Sequence, residues 1–185
     1  AADYQGQIDE LMSYTRLFFL PKGFFQGNQR VILHFGAVDQ IALVTVNGKT
    51  FPEHTGGYLP FEYDVTEYVG LGENELTVTV TDELDTELAY GKQRKKRGGM
   101  WYTPISGIWQ TVWLECVPEC HIRDLRITSD LHRVRIEFTG GVGEKHIEIP
   151  DAGIYADFCG DVFEAEILMP HHWCPDDPFL YRFTV

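Results

Sequence analysis

Paired carboxylates are the most abundant chemical equipment in this 185-residue chain. Asp and Glu together number 28, against 15 Lys and Arg. Close pairs recur at Glu62 and Asp64, Asp82 and Glu83, Asp85 and Glu87, and Asp176 and Asp177. Two carboxyl groups flanking a glycosidic bond can cleave it, one as proton donor and the other as nucleophile or base. That work requires one of the two to stay protonated near neutral pH, through an apolar setting or a like-charged neighbour. None of these pairs sits in a sequence setting that supplies it. In a chain of net charge −13 they read as solvated faces and turn caps, and no catalytic residue is assigned.

Other candidate chemistry is sparser. Cys116, Cys120, Cys159 and Cys174 are too few for a disulfide scaffold. The spacing C-x3-C-H at 116–121 matches no standard zinc signature, nor does His171-His172-Trp173-Cys174. No metal or cofactor is assigned, and ordinary thiols in a reducing compartment are expected. Glycine-rich phosphate loops, His-Glu-x-x-His and Gly-x-Ser-x-Gly are missing from the sequence. One basic run, Lys92-Gln93-Arg94-Lys95-Lys96-Arg97, lacks interleaved stacking aromatics. Against the overall acidity it reads as a mobile loop with Gly98-Gly99 as its exit, not as a nucleic-acid site. It leads into Trp101 and Tyr102, whose rings suit a sugar-facing cleft. His54 lies in His-Thr-Gly-Gly-Tyr-Leu-Pro-Phe, where two glycines permit sharp turning. Trp101, Tyr102 and His54 are the candidate cleft residues. A packed turn, with His54 hydrogen-bonded locally, is the structural alternative for the last.

These residues need elements to hold them, and the elements are strands. Period-two alternation runs through 13–19, 30–35, 41–46, 75–81 and 109–117, and again through 121–128, 132–138, 146–149, 162–168 and 179–185. Asn47-Gly48 is a strong hairpin signal. Residues 82–90 are the one place for a short helical turn. The spacing implies an all-β chain of sandwiches, with a boundary near Pro118-Glu119. Residues 119–185 are few for a complete immunoglobulin-like sandwich of ~100 residues. No run reaches the ~20 apolar residues of a membrane helix, and the acidic residues 1–10 do not read as a signal peptide.

Four segments taken together carry a resemblance. They are Val31-Ile32-Leu33-His34-Phe35-Gly36-Ala37-Val38-Asp39 running into Val44-Thr45-Val46-Asn47-Gly48; His54 to Phe61 running into Tyr63-Asp64-Val65-Thr66; Gly72 to Val80; and Trp101-Tyr102-Thr103-Pro104-Ile105-Ser106-Gly107-Ile108-Trp109 through Glu115. In this order they resemble the N-terminal sugar-binding domain of glycoside hydrolase family 2, the family of β-galactosidases, β-glucuronidases and β-mannosidases. Trp173-Cys174-Pro175-Asp176-Asp177-Pro178-Phe179-Leu180-Tyr181 is similar to a stretch of that family's immunoglobulin-like second domain.

The resemblance implies a jelly-roll (galactose-binding-like) β-sandwich over 1–118, then a partial immunoglobulin-like β-sandwich over 119–185. It further implies that the two catalytic glutamates belong to a TIM barrel that this chain lacks. The chain is then the non-catalytic front of a retaining β-glycosidase, packing on that barrel and hydrolysing nothing alone. Its partners would be carbohydrate through the parent enzyme, the missing barrel and, as one option, further copies of itself; nucleic acid and membrane are not expected, and the cytoplasm of a bacterium is the expected location. Some members bring an aspartate from this domain, near the Trp-Tyr motif, to the active site. Here that stretch reads Gly98-Gly99-Met100-Trp101, and Trp101 is the available substitute. A free-standing carbohydrate-binding module and a structural or protein-interaction sandwich are the competing readings.

Overall fold

The computed structural model describes residues 11–95 and 98–185. The chain divides into two compact units, Ala1–Pro118 and Glu119–Val185. Among the described residues there is no α-helix, and so no (β/α)8 barrel; no helix is long and apolar enough to cross a membrane.

The first unit holds β1 (Leu11–Leu20), β2 (Gln29–Phe35), β3 (Val38–Asp39), β4 (Ile41–Val46), β5 (Lys49–Thr50), β6 (His54–Thr55), β7 (Phe61–Asp64), β8 (Gly72–Thr81), β9 (Gly107–Ile108) and β10 (Val112–Pro118). Strands β1-β8-β4-β5 form one antiparallel sheet, with β6 also on β4; β10-β2-β7 form a second, and β3 pairs with β9. Alternation decides which side chains enter the core. Val78 and Val80 of β8, Val44 and Val46 of β4, and Val31, Leu33 and Phe35 of β2 are buried together. Each such side chain contributes roughly 1.5–3 kcal/mol by leaving water.

The Asn47-Gly48 turn forms as the sequence predicts, with φ of 47° and 83°. Asn47 does more than turn the chain. Its Nδ2 donates to Tyr68 O at 2.7 Å and to Asn74 Oδ1 at 2.8 Å, while its Oδ1 accepts from Glu75 N at 2.8 Å. Buried Asn74 in turn donates to the carbonyls of Gly70 and Gly72. Two asparagines therefore satisfy the backbone of a turn that strands alone would leave unpaired.

The second unit holds β11 (Ile122–Ser129), β12 (Arg133–Gly140), β13 (Glu144–Ile149), a 3-10 turn at Pro150–Ala152, β14 (Ile154–Cys159) and β15 (Val162–Glu166). The sheet β11-β12-β15 and the hairpin β13-β14 enclose Ile136, Phe138, Ile147, Ile149 and Phe163. Lys145 is buried; its Nζ lies 5.9 Å and 6.0 Å from the ring centres of Phe138 and Phe158 and donates to Gly160 O at 2.9 Å.

Three expectations are corrected. Residues 82–90 form no helix: the side chains of Asp82 and Asp85 accept from backbone N–H groups two residues on, a local bonding that competes with helix. The strand expected over 109–117 begins at Val112, because Gly107-Ile108 pair with β3 and the chain then bends past Gly36. The strand expected over 179–185 is reduced to a bridge of Thr184 with Glu148, made by two backbone bonds of 3.0 Å.

Candidate functional site

The loops carrying the sequence-derived candidates converge on a buried polar layer in the first unit. Gln40 fixes the loop after β8: its Nε2 donates to Asp85 O at 3.2 Å and its Oε1 accepts from Asp85 N at 2.9 Å. Gln93 fixes the next stretch, donating to Tyr90 O at 2.9 Å and accepting from Ile105 N at 2.6 Å. Tyr102 N donates to Lys92 O at 2.8 Å, which closes the loop on which Trp101 and Tyr102 stand. The 54–61 loop is held from two sides: Gly56 N donates to Gln40 O, and Trp109 Nε1 donates to Gly57 O, each at 2.8 Å.

Beneath these contacts lie two buried acids. Asp82 is fully buried and satisfied, accepting from Leu84 N at 2.9 Å and from the Ser106 hydroxyl. Asp39 is 2% exposed, and its Oδ1 has no hydrogen-bond partner. Burial, and then the negative charge of Asp82, push the Asp39 carboxyl from 3.8 to about 7. Gly57 lies against Asp39, so that a Cβ at 57 would stand 2.1 Å from Asp39 Oδ1. The glycine pair in His-Thr-Gly-Gly-Tyr thus has a steric reason at its second position. Tyr58 packs edge-on against Trp109, with ring centroids 5.9 Å apart. Its hydroxyl is raised above the usual tyrosine range by burial and by Asp39, an effect opposed in part by a hydrogen bond with Gln93.

The candidate residues are placed differently from one another. Tyr102 is 67% exposed. Trp101 is half-buried, with the Arg94 guanidinium 5.3 Å from its ring centre. His54 stacks on Phe61 at 3.9 Å and 16°, and its Nε2 lies 3.1 Å from Gly56 O. Its contacts are those of a packed turn. Within the basic run, Lys96 and Arg97 lie outside the described residues.

Asp39 is not among the sequence-derived candidate residues, and the pair Asp82 and Glu83 reads from sequence as solvated or capping acids. Asp82 does cap a turn, but in the interior. A readable signal was present: Asp39 ends an apolar run, and Asp82 directly follows the strictly alternating β8. The other paired acids are surface groups. Asp64 accepts from Thr66 N at 3.0 Å, Glu62 lies 3.1 Å from His34 Nδ1, and Asp177 lies 2.6 Å from His171 Nε2. The cysteines are unpaired, and among the described residues no group of three or more His, Cys, Asp or Glu is placed to hold a metal. On β10, Trp113 stacks on His34 at 4.7 Å and 8° and stays 43% exposed.

Residues 5–118 match the family described as glycosyl hydrolases family 2, sugar binding domain. The chain is 31% identical over 180 residues to a β-galactosidase of Thermoanaerobacter pseudethanolicus, covering 85% of this chain and 23% of that protein. It is 37% identical over 76 residues to the β-glucuronidase of Homo sapiens, covering 40% of this chain and 12% of that one. Among solved structures, an uncultured Clostridium β-glucuronidase is 26% identical with a TM-score of 0.66, covering 96% of this chain and 33% of that one. A Ruminococcus gnavus β-glucuronidase has a TM-score of 0.72 at 22% identity, covering 98% of this chain and 32% of that one, a likeness of fold. The chain spans less than a quarter of the length of these curated relatives.

Proposed function

Because the chain belongs to glycosyl hydrolase family 2 through its sugar binding domain, we propose that it is the non-catalytic N-terminal portion of a retaining β-glycosidase. The observation that carries this reading is the family match across residues 5–118. Residues 1–118 form the jelly-roll domain and 119–185 part of an immunoglobulin-like domain. Hydrolysis in the parent is a double displacement through a glycosyl-enzyme intermediate, run by two carboxyl groups on a barrel outside this chain.

The acids of the loop layer do not perform that chemistry. Asp82 is sealed and committed to two donors, and Asp39 is packed against Gly57. Their work is to set the loops that carry Tyr58, Trp101 and Tyr102, which line one wall of the parent's cleft. His54 contributes by holding the 54–61 turn. The parent acts on a β-glycoside in the cytoplasm of a bacterium.

Calorimetry of the 185-residue chain with a broad glycan panel, beside an assay with aryl β-glycosides, tests this. Neither saturable binding nor turnover is expected, and the coding sequence should continue into a barrel with two glutamates. Saturable sugar binding that is lost in Trp101→Ala would establish a free-standing binding module instead.

A further inference from the structure

The outward face of the β1-β8-β4 sheet is nearly uncharged, in a chain whose net charge is −13. Its residues fall in rows set by the cross-strand register. At one end lie Leu11–Thr81–Ile41 and Ser13–Thr79–Leu43. The middle row is all threonine, Thr15–Thr77–Thr45–Thr50, with hydroxyl contacts of 3.2 Å between Thr15 and Thr77 and 3.0 Å between Thr45 and Thr50. At the other end lie Leu17–Glu75 and Phe19–Glu73. Phe19 is 71% exposed. A water-facing antiparallel sheet normally carries polar and charged residues on its outer side. On this face, among the described residues of β1, β8 and β4, Glu73 and Glu75 are the only charges, both at one end.

We propose that this face docks a second copy of the same chain, face to face, about a two-fold axis running across the strands at the threonine row. A face with few charges lets two strongly acidic chains approach with little local repulsion. The two glutamates then select the axis. An axis along the strands would lay β8, the middle strand, on itself and set Glu73 and Glu75 against the same residues of the partner. An axis across the strands reverses the rows. Glu75 then faces the partner's Thr79 and Glu73 the partner's Thr81, hydroxyl donors for each carboxylate. Leu11 faces the partner's Phe19, and Thr77 meets its own copy. Rows lie about 7 Å apart, so the two Glu75 side chains stand about 14 Å from each other, beyond the ~8 Å Debye length at physiological salt. The face is self-complementary in this one orientation, as a closed two-fold interface requires.

The strands give about 450 Å² of flat area per copy, or about 900 Å² in total, from their spacing and rise. That lies below the ~1,200 Å² of a stable complex, in the range of weak, transient contacts.

Sedimentation equilibrium of the 185-residue chain, to about 1 mM, tests the arrangement. A reversible monomer–dimer equilibrium is expected, tightening as salt rises from about 50 to 500 mM and screens the net charge. Thr79→Lys places an ammonium opposite the partner's Glu75 and should tighten the dimer about 3-fold or more. Thr79→Glu should weaken it about 10-fold or more, and adding Glu75→Lys to Thr79→Glu should restore it. Circular dichroism checks that each variant folds. Monomers throughout the range, or Thr79→Lys and Thr79→Glu shifting the equilibrium in the same direction, would overturn the proposal.

Discussion

The substitution Asp39→Asn should change how the stability of the first unit depends on pH. The wild-type carboxyl is raised from 3.8 to about 7, by burial first and by Asp82 second. In the unfolded chain it titrates near 3.9. Below about pH 4 the acid is protonated in both states, and its contribution to stability is fully present. Between about 4 and 7 the unfolded chain releases the proton while the folded chain keeps it, so stability falls as pH rises. Above about 7 both forms are ionised and the loss is complete. A shift of about three units corresponds to roughly 4 kcal/mol, of which about 2–3 kcal/mol falls between pH 5 and pH 8. Asparagine has nearly the same shape and does not titrate. Urea unfolding followed by tryptophan fluorescence, at pH 5, 6, 7 and 8, measures both proteins. Trp101, Trp109 and Trp113 lie in the first unit, so the signal reports mainly on it. Subtracting the two curves cancels other titrations. The Asp39→Asn variant should gain about 2–3 kcal/mol on wild type from pH 5 to pH 8. A difference curve flat to within about 0.5 kcal/mol, or sloping the other way, would refute the burial argument.

Two further outcomes follow from the same geometry and from the second unit. Gly57→Ala puts a Cβ 2.1 Å from Asp39 Oδ1; it should cost about 2–3 kcal/mol in urea unfolding, since the loop must shift, and a neutral result would show that the contact is not tight. His146 sits 2.6 Å from Asp157 and 3.3 Å from Glu148, and the hydrogen bond to Asp157 leads in raising its pKa above 6.5. Its stabilisation is therefore present at acid pH and lost as pH rises through the raised value. In an NMR titration Asp157→Asn should move the His146 midpoint down, and an unchanged midpoint would assign the shift elsewhere.

The sandwich was legible because alternation is a direct record of which residues face the core. β8 reads Leu76, Val78, Val80 in the sequence, and those side chains pack into the core of the first unit. The Asn47-Gly48 hairpin was equally plain, since few residue pairs tolerate the backbone angles of that turn. β7 and β14 were not anticipated. Phe61–Asp64 is short and follows a proline, and Ile154–Cys159 alternates with small and acidic residues that carry little pattern. The 82–90 loop misled for a different reason. Its acids bond to backbone two residues on, and a helical reading has no term for that competition.

The buried acids were harder to read, because burial depends on residues distant in sequence. Asp39 is sealed by Gly57 and perturbed by Asp82, and Asp82 is held by Ser106. No local window contains these pairs, and composition argued the other way: in so acidic a chain any given Asp is expected at the surface. Yet burying an unpartnered carboxyl costs stability. A fold keeps such a group where the contacts around it are worth more than that cost. Here those contacts tie the 54–61, 82–95 and 98–109 loops to one another, at the site where Trp101 and Tyr102 are displayed. Asp39 is then part of what ties together the loops that carry Trp101 and Tyr102. If so, at pH 5, where the wild-type acid is still protonated, Asp39→Asn should leave those loops as protected from hydrogen exchange as in wild type, whereas Gly57→Ala, which disturbs the shape, should open all three together. Exchange rates that rise in the 54–61 loop alone would show that the layer is three separate turns and not one support.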